Sequence, residues 1–264
     1  MEWLELAGEA GPGCPVRVDA KAAPVEPLDC ALCGRRLAPG ELVSIEGYCS
    51  FGGEIPLGEA ASLYADTLQP RAKHLRCAAP PGPGELWTIG HGTRPLEEFT
   101  GLLRQNRIEV LADIRTVPRS RRNPQYATEN LAGSLRAEGF CYLHVPELGG
   151  LRKPRPDSPN DAWRNDSFRG YADYMQTSAF EAALGELAAL ARLRPTVIMC
   201  AETVNWRCHR SLVADALFAR GWTPWHILGP AEPKPHRLTS FARVEGERVW
   251  YPEEAAGAAP PALT

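Results

Sequence analysis

The sequence predicts an α/β protein in which a mostly parallel, five-stranded, three-layer sheet of Rossmann-like type follows a small zinc-binding module. Three observations support this fold class. Strand-like apolar runs alternate with helical segments after residue 85, and cysteine pairs with the spacing of metal ligands precede them. A stretch rich in proline and glycine, residues 79–84, separates the two parts and is typical of a linker.

The strands are predicted from short runs of apolar and β-branched residues, which fit strands buried on both faces of a parallel sheet. Helical segments between them supply the crossovers, which are right-handed in such sheets. The five predicted strands are Leu86–Ile89, Val110–Ile114, Cys141–Val145, Thr196–Cys200 and Trp225–Leu228.

The helices are predicted from the helical spacing of apolar residues between these strands. The first begins near Thr93, with Pro95 at an early position, and the second has Thr128 as its predicted N-cap. The region Ser167–Leu193 is long enough for two helices. A further helix, Ser211–Gly221, ends in a glycine, as helices commonly do.

The chain divides into five predicted segments. Both ends carry glycine, alanine and proline without periodicity, so we expect a flexible arm and a flexible tail there. Residues 237–251 are predicted to form a hairpin with Glu245-Gly246 as its turn. The segments are a flexible arm (1–27), a Cys₃His zinc module (28–78), a linker (79–84), an α/β catalytic domain (85–252) and a flexible tail (253–264).

Length, charge and hydropathy restrict the class of protein. A chain of 264 residues can bury a core and carry a small module, and its net charge of −3 provides no general attraction to nucleic acid. The sequence lacks a run of about 18 apolar residues, and its start lacks a basic region followed by an apolar core. We therefore expect a soluble, cytoplasmic protein without a membrane partner. Its eight cysteines are then expected to be metal ligands or reactive thiols.

Two pairs of potential metal ligands lie in the N-terminal module. Cys30-x-x-Cys33 and His74-x-x-Cys77 can each place two side chains on one ion, and together they complete a tetrahedral set for a structural zinc ion. Cys49 is an alternative ligand, and the two pairs can also be unrelated reduced thiols. Because the module has few large apolar residues, we expect its folding to depend on the ion.

The cysteine-rich module also carries a recognisable pattern. Cys-Ala-Leu-Cys-Gly-Arg-Arg-Leu-Ala-Pro-Gly-Glu at 30–41 and His-Leu-Arg-Cys at 74–77 resemble the DNA-break-sensing zinc finger of poly(ADP-ribose) polymerases. The resemblance covers residues 30–77 only. It implies that DNA is a partner of the module, and a purely structural or protein-docking role is the alternative.

The run from Thr196 to Arg210 has the layout of an active site. A buried strand ends at Cys200, and a loop leads to a helix whose first turn carries Cys208, His209 and Arg210. Open α/β sheets bind ligands at the carboxyl ends of their strands. The N–H groups and dipole of the first helical turn favour an anion and are expected to lower the pKa of Cys208. Alternatively, both thiols are ordinary buried cysteines.

Polar residues also follow the first two strands. Glycines flank His91 after the first strand, where the backbone can approach a ligand closely. After the second strand, Asp113 precedes arginines at positions 115, 119, 121 and 122. We interpret this run as a local anion site, and a solvated run of charges is the alternative.

The third strand is followed by a glycine pair. Glu147 stands beside Gly149 and Gly150, and the stretch Arg152–Arg155, rich in arginine and proline, comes next. Such a loop at a strand end can act as a mobile lid.

Six short motifs of the α/β unit occur together: Thr-Ile-Gly-His at 88–91, Asp-Ile-Arg-x-x-Pro-x-Ser from 113, Leu-Gly-Gly at 148–150, Tyr-Ala-Asp-Tyr-Met at 171–175, Cys-Ala-Glu at 200–202 and Cys-His-Arg at 208–210. Together they resemble the bacterial domain of unknown function 488 family, over about residues 86–229. The resemblance implies the same α/β fold, to which the N-terminal finger is an addition. That family brings no settled reaction, so the function has to be argued from the site.

The candidate site residues form two groups. Carboxylates, imidazoles and thiols supply acids, bases and nucleophiles, whereas arginines, glycines and aromatic rings can hold phosphates and bases. The candidate catalytic residues are Asp113, Glu202, His209, Cys200, Cys208 and His91. The candidate substrate- or phosphate-binding residues are Arg115, Arg119, Ser120, Arg210, Gly149, Gly150, Tyr142 and Trp206.

Several of these residues also have simpler interpretations. Asp113 can pair with Arg210, and Tyr171 with Tyr174 can serve helix packing. Two further histidines are interpreted as ordinary strand residues, at positions 144 and 226.

Three classes of function fit the pattern. The favoured hypothesis is a nucleic-acid- or nucleotide-directed hydrolase that cleaves a glycosidic or phosphoester bond in DNA repair, modification or defence, with the zinc module helping to bind DNA. One alternative is a cysteine-dependent sulfur or phosphoryl transferase, because strand, cysteine loop and helix resemble rhodanese-like enzymes and cysteine phosphatases in outline. The other is a non-catalytic sensor of nucleotides or DNA ends.

Each catalytic hypothesis makes a geometric prediction. In hydrolysis, Glu202 or Asp113 activates water, so these residues, Arg115 and His209 are expected to share one cavity. In the cysteine alternative, a thiol at the end of the fourth strand or at the helix start is the nucleophile. Cys200 and Arg207 are separated by six residues, one more than in the phosphatase signature.

Overall fold

The computed structural model describes residues 72–119 and 122–253, preceded by the short segments 4–5, 16–18, 32–33, 35 and 42–45. Most of these residues belong to a mixed α/β fold, in which a mostly parallel sheet of six strands is packed against helices. The prediction of an α/β fold with a mostly parallel sheet is therefore confirmed for the larger unit.

The N-terminal segments form an antiparallel sheet of four short strands, followed by the helical turn α1 (Leu75–Ala78). The strands are β1 (Leu4–Glu5), β2 (Val16–Val18), β3 (Leu42–Ile45) and β4 (Ala72–His74), in this spatial order. β1 and β2 fall within the predicted flexible arm, whose other residues lie outside the described ones. The predicted domain boundaries stay predictions.

The central sheet contains all five predicted strands. They are β5 (Glu85–Gly90), β6 (Val110–Asp113), β7 (Cys141–His144), β8 (Thr196–Cys200) and β9 (Thr223–Ile227), and all pair in parallel. β8 lies between β5 and β6, so the cysteine that ends it has a strand end on each side. This central position places the loop after β8 among the loops that follow its neighbours.

The prediction of five strands is wrong by one, because a sixth strand extends the sheet. β10 (Lys234–Pro235) pairs antiparallel with β9 at the edge of the sheet. It has only two residues, both exposed, and therefore lacks the apolar pattern from which a strand is predicted. Proline suits an edge position, where one side of the strand needs no N–H donor.

Helices cover both faces of the central sheet, as expected for three layers. α2 (Leu96–Gln105) and α3 (Thr128–Ala137) pack on one face, with Phe99, Leu103 and Leu131 in the core. The other face is covered by α4 (Asp166–Tyr174), α5 (Ser178–Leu193) and α6 (Arg210–Ala219). The region 167–193 thus forms two helices, as predicted.

One predicted helix start needs correction. Thr128 is the first residue of α3, and Ala127 occupies the N-cap position. The N–H of Thr128 donates to the Pro118 carbonyl over 3.1 Å, and its hydroxyl lies 3.4 Å from the same oxygen. The threonine therefore anchors the helix to the preceding loop and does not cap it.

The predicted C-terminal hairpin is present as β11 (Arg243–Glu245) and β12 (Arg248–Trp250). Its two central residues are Gly246 and Glu247, one position later than predicted. Gly246 has a φ of +62°, a conformation that glycine adopts without strain and that favours it at a tight turn. After the hairpin, Tyr251 enters the main core.

The predicted zinc ligands fall mostly outside the described residues. Cys30, Cys49 and the side chain of His74 are among those outside, whereas Cys33 is exposed and Cys77 is half-buried. The structural zinc ion and its role in DNA binding therefore stay predictions. The tail after Glu253 also lies outside the described residues. Among the helices in the described part of the chain, none has both the length and the apolar character needed to cross a bilayer.

Candidate active site

The site is built at the carboxyl ends of adjacent parallel strands. Gly90 lies opposite Cys200 across the β5–β8 pair, and Asp113 lies opposite both Met199 and His144 on its two neighbours. Parallel strands end at the same edge of a sheet, where this fold type binds its ligands. The loops after β5, β6, β7 and β8 therefore meet, as the sequence predicts.

Two thiols and an imidazole converge at this edge. The Sγ atoms of Cys200 and Cys208 and the Nδ1 atom of His209 all lie within 4.8 Å of one another. Nδ1 is 3.9 Å from the Cys200 sulfur and 3.7 Å from the Cys208 sulfur. Both cysteines are buried, with 8% and 3% of their surfaces exposed. We call these three side chains the thiol cluster.

The orientation of His209 is fixed by its surroundings. Its Nε2 atom lies 3.2 Å from the carbonyl oxygen of Ile114, which can only accept, so Nε2 carries the proton. In the neutral ring, Nδ1 then presents its lone pair to the two sulfurs. Gly150 leaves room for the ring, since a Cβ atom there would stand 3.0 Å from Nδ1. The ring of Tyr171 lies 5.0 Å away, centre to centre.

The pKa values of the two thiols are shifted in opposite directions. Burial disfavours the Cys208 thiolate, but a hydrogen bond from Cys200 and the charge and N–H groups of Arg210 outweigh it and lower the pKa of Cys208 to about 7. The same hydrogen bond, reinforced by burial, raises the pKa of Cys200. Cys208 stands two residues before α6, whereas the sequence predicts it in the first turn of that helix. The backbone N–H of Arg210, the first residue of α6, is nevertheless among the groups that lower the pKa of Cys208. The pair combines a thiolate with a neighbouring thiol.

Arg210 organises the loop and does not face outward to a phosphate. It is fully buried, and its guanidinium donates to the carbonyl oxygens of Glu202 and, over 2.9 Å, of Thr203. These carbonyls pass close to the glycine turn after β5: a Cβ atom at Gly90 would stand 1.8 Å from the Glu202 oxygen. These bonds give Arg210 a role in holding the loop, whereas its buried Nε has no hydrogen-bonding partner among the described residues. Its predicted phosphate-binding role stays a prediction.

Asp113 pairs with Arg115 rather than with Arg210. One carboxylate oxygen accepts from the backbone N–H of Arg115 at 3.1 Å and from its Nε at 2.8 Å, and the other accepts from the guanidinium and from the Tyr142 hydroxyl at 2.8 Å. Arg115 also donates to the carbonyl of Tyr126. We call Asp113, Arg115, Tyr142 and His91 the arginine cluster. Each carboxylate oxygen of Asp113 accepts two hydrogen bonds. The predicted activation of water by Asp113 would therefore require one of these bonds to break.

His91 belongs to the arginine cluster as a neutral ring. Its ring stacks on Tyr126 at 4.1 Å, its Nδ1 lies 2.8 Å from the Gly92 carbonyl, and its Nε2 lies 3.3 Å from Arg115. Burial, assisted by the charge of Arg115, lowers the pKa of His91 to about 4 despite the opposing bond to Gly92. The predicted acid–base candidate is thus held as a hydrogen-bonded structural group.

The expected common cavity is only partly realised. Ile114 joins the arginine cluster to the thiol cluster, because its carbonyl accepts from His209 while its neighbours on each side form the ion pair. The Glu202 side chain, however, is exposed. Sequence reasoning placed it beside Asp113 because both follow strands, but the close approach of the loop to β5 turns this carboxylate outward.

The remaining predicted binding residues either lie at the rim of the site or fall outside the described residues. Arg119 is exposed, and Trp206 has 61% of its surface exposed. Ser120 lies outside the described residues. Gly149 is close to Thr116, whose hydroxyl donates to the Gly150 carbonyl, so the glycine pair serves close packing of two loops.

The segment predicted as a mobile lid is fixed to α4. The Arg152 guanidinium lies 3.7 Å from the ring centre of Tyr174 and donates to the Gly149 carbonyl. The N–H of Arg155 donates to the buried Asp173 carboxylate, which also accepts from Ser158. These bonds attach both ends of the segment to neighbouring residues. Its role as a lid stays a prediction.

A buried hydrogen-bonded chain was missed by the sequence analysis. Thr88 lies 2.7 Å from His226, His226 lies 3.0 Å from His236, and His236 lies 2.9 Å from Asp215, whose carboxylate also accepts from Tyr251 at 2.8 Å. We call Thr88, His226, His236 and Asp215 the histidine chain. The available signal was the carboxylate of Asp215 within an apolar helix, which indicates a buried, partnered charge.

Comparison with known proteins identifies a domain within the chain. Residues 95–217 match the family described as "Domain of unknown function DUF488". The match covers α2 to most of α6 and includes both thiols, which agrees with the resemblance noted from the motifs. Neither the curated proteins nor the solved structures give a significant match.

Proposed function

We propose that the DUF488 domain of this chain is a cysteine-dependent sulfur transferase with Cys208 as its nucleophile. The proposal rests on one observation, the convergence of two sulfur atoms and an oriented imidazole at the carboxyl end of β8. Two adjacent thiols of unequal acidity suit chemistry in which sulfur atoms form and break bonds with one another.

The reaction can be written with balanced atoms. The Cys208 thiolate attacks the outer sulfur of a persulfide donor, R–S–SH; a bond forms between the Cys208 sulfur and that outer sulfur, and the bond within the donor breaks to release R–S⁻. Cys208 is left as a persulfide. An acceptor thiolate then attacks the outer sulfur, becomes a persulfide itself and restores the Cys208 thiolate.

Neighbouring groups support each step. His209 Nδ1, 3.7 Å from the Cys208 sulfur, can take the thiol proton, and the charge of Arg210 stabilises the thiolate. The neighbouring Cys200 also lowers the pKa of Cys208. Because only 3% of Cys208 is exposed, the donor has to reach it through a slender, terminal sulfur.

Sulfur transfer is favoured over the other enzymatic hypotheses by how the polar groups are used. Phosphoryl transfer needs a guanidinium that binds the phosphate beside the thiol, whereas Arg210 donates to two carbonyls and Arg207 is exposed and one residue too far along the chain for the phosphatase signature. Hydrolysis needs a free base, whereas both oxygens of Asp113 are engaged and Glu202 is exposed. The nucleic-acid-directed hydrolase stays a prediction of the sequence.

The test is a transfer assay with the full chain, a small persulfide donor and a small thiol acceptor. We expect Cys208→Ser to lower the rate at least about a thousandfold, since the nucleophile is lost. Cys200→Ser should lower it about tenfold, because the nucleophile keeps its helix-start environment. Glu202→Gln should retain the wild-type rate. Retained transfer in a Cys200→Ser, Cys208→Ser double variant would refute the proposal, and loss in Glu202→Gln would favour carboxylate chemistry.

A nucleic-acid partner is proposed from the rim of the site. Without the buried Arg115, the described residues of the loops 116–119, 122–124, 146–157 and 201–209 include six lysines and arginines and three aspartates and glutamates, although the whole chain has a net charge of −3. Trp206 adds an exposed ring on which a base can stack. Fluorescence anisotropy with labelled single-stranded RNA and DNA tests this: Trp206→Ala should weaken binding about tenfold, and unchanged affinity would contradict the proposed contact.

A further inference from the structure

We propose that the thiol cluster is also a binding site for a thiophilic divalent metal ion of the zinc type. The donor atoms are the sulfurs of Cys200 and Cys208 and the Nδ1 atom of His209. This inference concerns the same atoms as the proposed sulfur transfer but does not depend on it.

The spacing of the donors is close to that of a tetrahedral site. Zinc bonds of about 2.3 Å to sulfur and about 2.0 Å to nitrogen, at tetrahedral angles, separate sulfur from nitrogen by about 3.5 Å. The observed separations from His209 Nδ1 are 3.7 Å to Cys208 and 3.9 Å to Cys200. The two sulfurs lie within 4.8 Å of each other, and about 3.8 Å would separate them in a tetrahedral site. Binding therefore requires the three side chains to draw together around the ion.

The imidazole is held as metal-binding imidazoles commonly are. Its Nε2–H donates to the carbonyl of Ile114, which fixes the ring and directs the lone pair of Nδ1 to the sulfurs. A backbone carbonyl on the distal nitrogen of a ligating histidine is a recurrent arrangement that strengthens the metal bond. Gly150 allows this orientation, because any larger residue would press on the ring.

The donor set selects for the kind of ion. Two thiolates and one imidazole suit borderline and soft ions such as zinc, whereas magnesium and calcium prefer oxygen ligands. The thiol cluster supplies three donors, which leaves a fourth position for water or a substrate thiolate. A bound ion would occupy both thiols, so metal binding would block sulfur transfer at Cys208.

The first experiment is a Co²⁺ titration of the full, reduced chain in the absence of any sulfur donor. The wild type should show intense sulfur-to-metal charge-transfer absorption and tetrahedral ligand-field bands from this site. Cys208→Ser should bind one equivalent fewer than the wild type, and His209→Gln should bind that equivalent at least about tenfold more weakly. Glu202→Gln, an exposed carboxylate of the same loop, should bind as the wild type does. Comparing variants in this way removes any contribution from the predicted N-terminal zinc site.

The second experiment uses only the wild type, so it holds even if a variant fails to fold. Iodoacetamide labelling followed by peptide mass spectrometry should show that Zn²⁺ slows alkylation of Cys200 and Cys208 at least about tenfold, whereas Mg²⁺ does not. Unchanged labelling of Cys200 and Cys208 at saturating Zn²⁺ would by itself overturn the proposal, and so would equal Co²⁺ stoichiometry in a folded Cys208→Ser variant. Sulfur transfer is assayed separately with a chelator present, so either proposal can fail without the other.

Discussion

Two buried groups of side chains adjoin the same helix, α6, and differ in how far their hydrogen-bonding capacity is used. The thiol cluster lies at the start of α6, and the histidine chain includes Asp215 in its middle. In the histidine chain every imidazole nitrogen has a hydrogen-bonding partner within 3.0 Å. In the thiol cluster one imidazole nitrogen faces two sulfurs at 3.7 Å or more. Saturated polar groups stabilise a fold, whereas converging and weakly satisfied ones are available to a ligand.

The arginine cluster belongs with the histidine chain in this comparison. The sequence predicts a catalytic role for Asp113 and a phosphate-binding role for Arg115, because both follow a strand. Their hydrogen bonds are nevertheless used within the cluster, and it serves as the support that holds Ile114 against His209. Proximity to a reactive group is therefore a weaker indication of function than unused bonding capacity.

The largest expected effect on stability is the removal of Asp215. Asp215→Ala leaves the donors of His236, Thr239 and Tyr251 without their acceptor in a buried site, and we expect unfolding to become easier by about 3 kcal/mol or more. Asp215→Asn should cost less because it keeps an acceptor. Chemical denaturation measures both. Loss of metal binding in a folded Asp215→Asn protein, with little loss of stability, would break the contrast between the two groups.

The second prediction is a loss of stability on acidification. Burial lowers the pKa of His226 from 6.5 to about 3, with a further contribution from His236. Between these values the unfolded chain binds a proton that the folded chain does not, so stability is fully present above about pH 6.5 and falls as the pH falls. The slope is at most about 1.4 kcal/mol per pH unit for this group.

His226→Gln checks the origin of that slope, because glutamine does not titrate. We expect the variant to be less stable at neutral pH but to lose stability less steeply on acidification, as measured by denaturation at several pH values. His91, whose pKa is lowered to about 4 by burial, contributes in the same direction and remains in both proteins. Equal slopes for the wild type and the variant would show that the histidine chain is not the source.

The smallest effect is expected from a single methyl group beside His209. A Cβ atom at Gly150 would stand 3.0 Å from Nδ1, so Gly150→Ala should displace the ring and weaken sulfur transfer and metal binding about tenfold. Gly101→Ala is the matched control, because Gly101 lies in α2 and a Cβ atom there would meet nothing within 4 Å. It should retain activity and gain about 0.5–1 kcal/mol of stability. Equal activity of both variants would argue against the importance of the ring position.

The sequence was most informative where physical periodicity was strong. All five parallel strands, the two helices of residues 167–193 and the loop after Cys200 were predictable, because each buried element carries its own apolar pattern. The edge strand at Lys234–Pro235 was not, since two exposed residues have no such pattern. The sequence also predicts a lowered pKa for Cys208, but from a place in the first helical turn, whereas the helix begins two residues later and Cys200 and Arg210 lower the pKa.

The role of each polar residue was harder to predict, because it depends on partners that are distant in the chain. Asp113 was expected beside Arg210 or a substrate, but Arg115 saturates it from two residues away. Glu202 follows its strand as the other candidates do, yet the close approach of its backbone to Gly90 leaves its side chain exposed. A sequence shows which polar residues lie at an edge of the sheet. Only the three-dimensional structure shows which of their hydrogen-bond donors and acceptors are already used.

The most direct test is to incubate the reduced wild-type chain with a small persulfide donor, quench with an alkylating agent and analyse the peptides by mass spectrometry. The account predicts one additional sulfur atom on the peptide that contains Cys208, formed faster than on any other cysteine and absent in Cys208→Ser. The same modification at equal rates on all accessible cysteines, or none at Cys208, would contradict the assignment of the thiol cluster as the reactive centre.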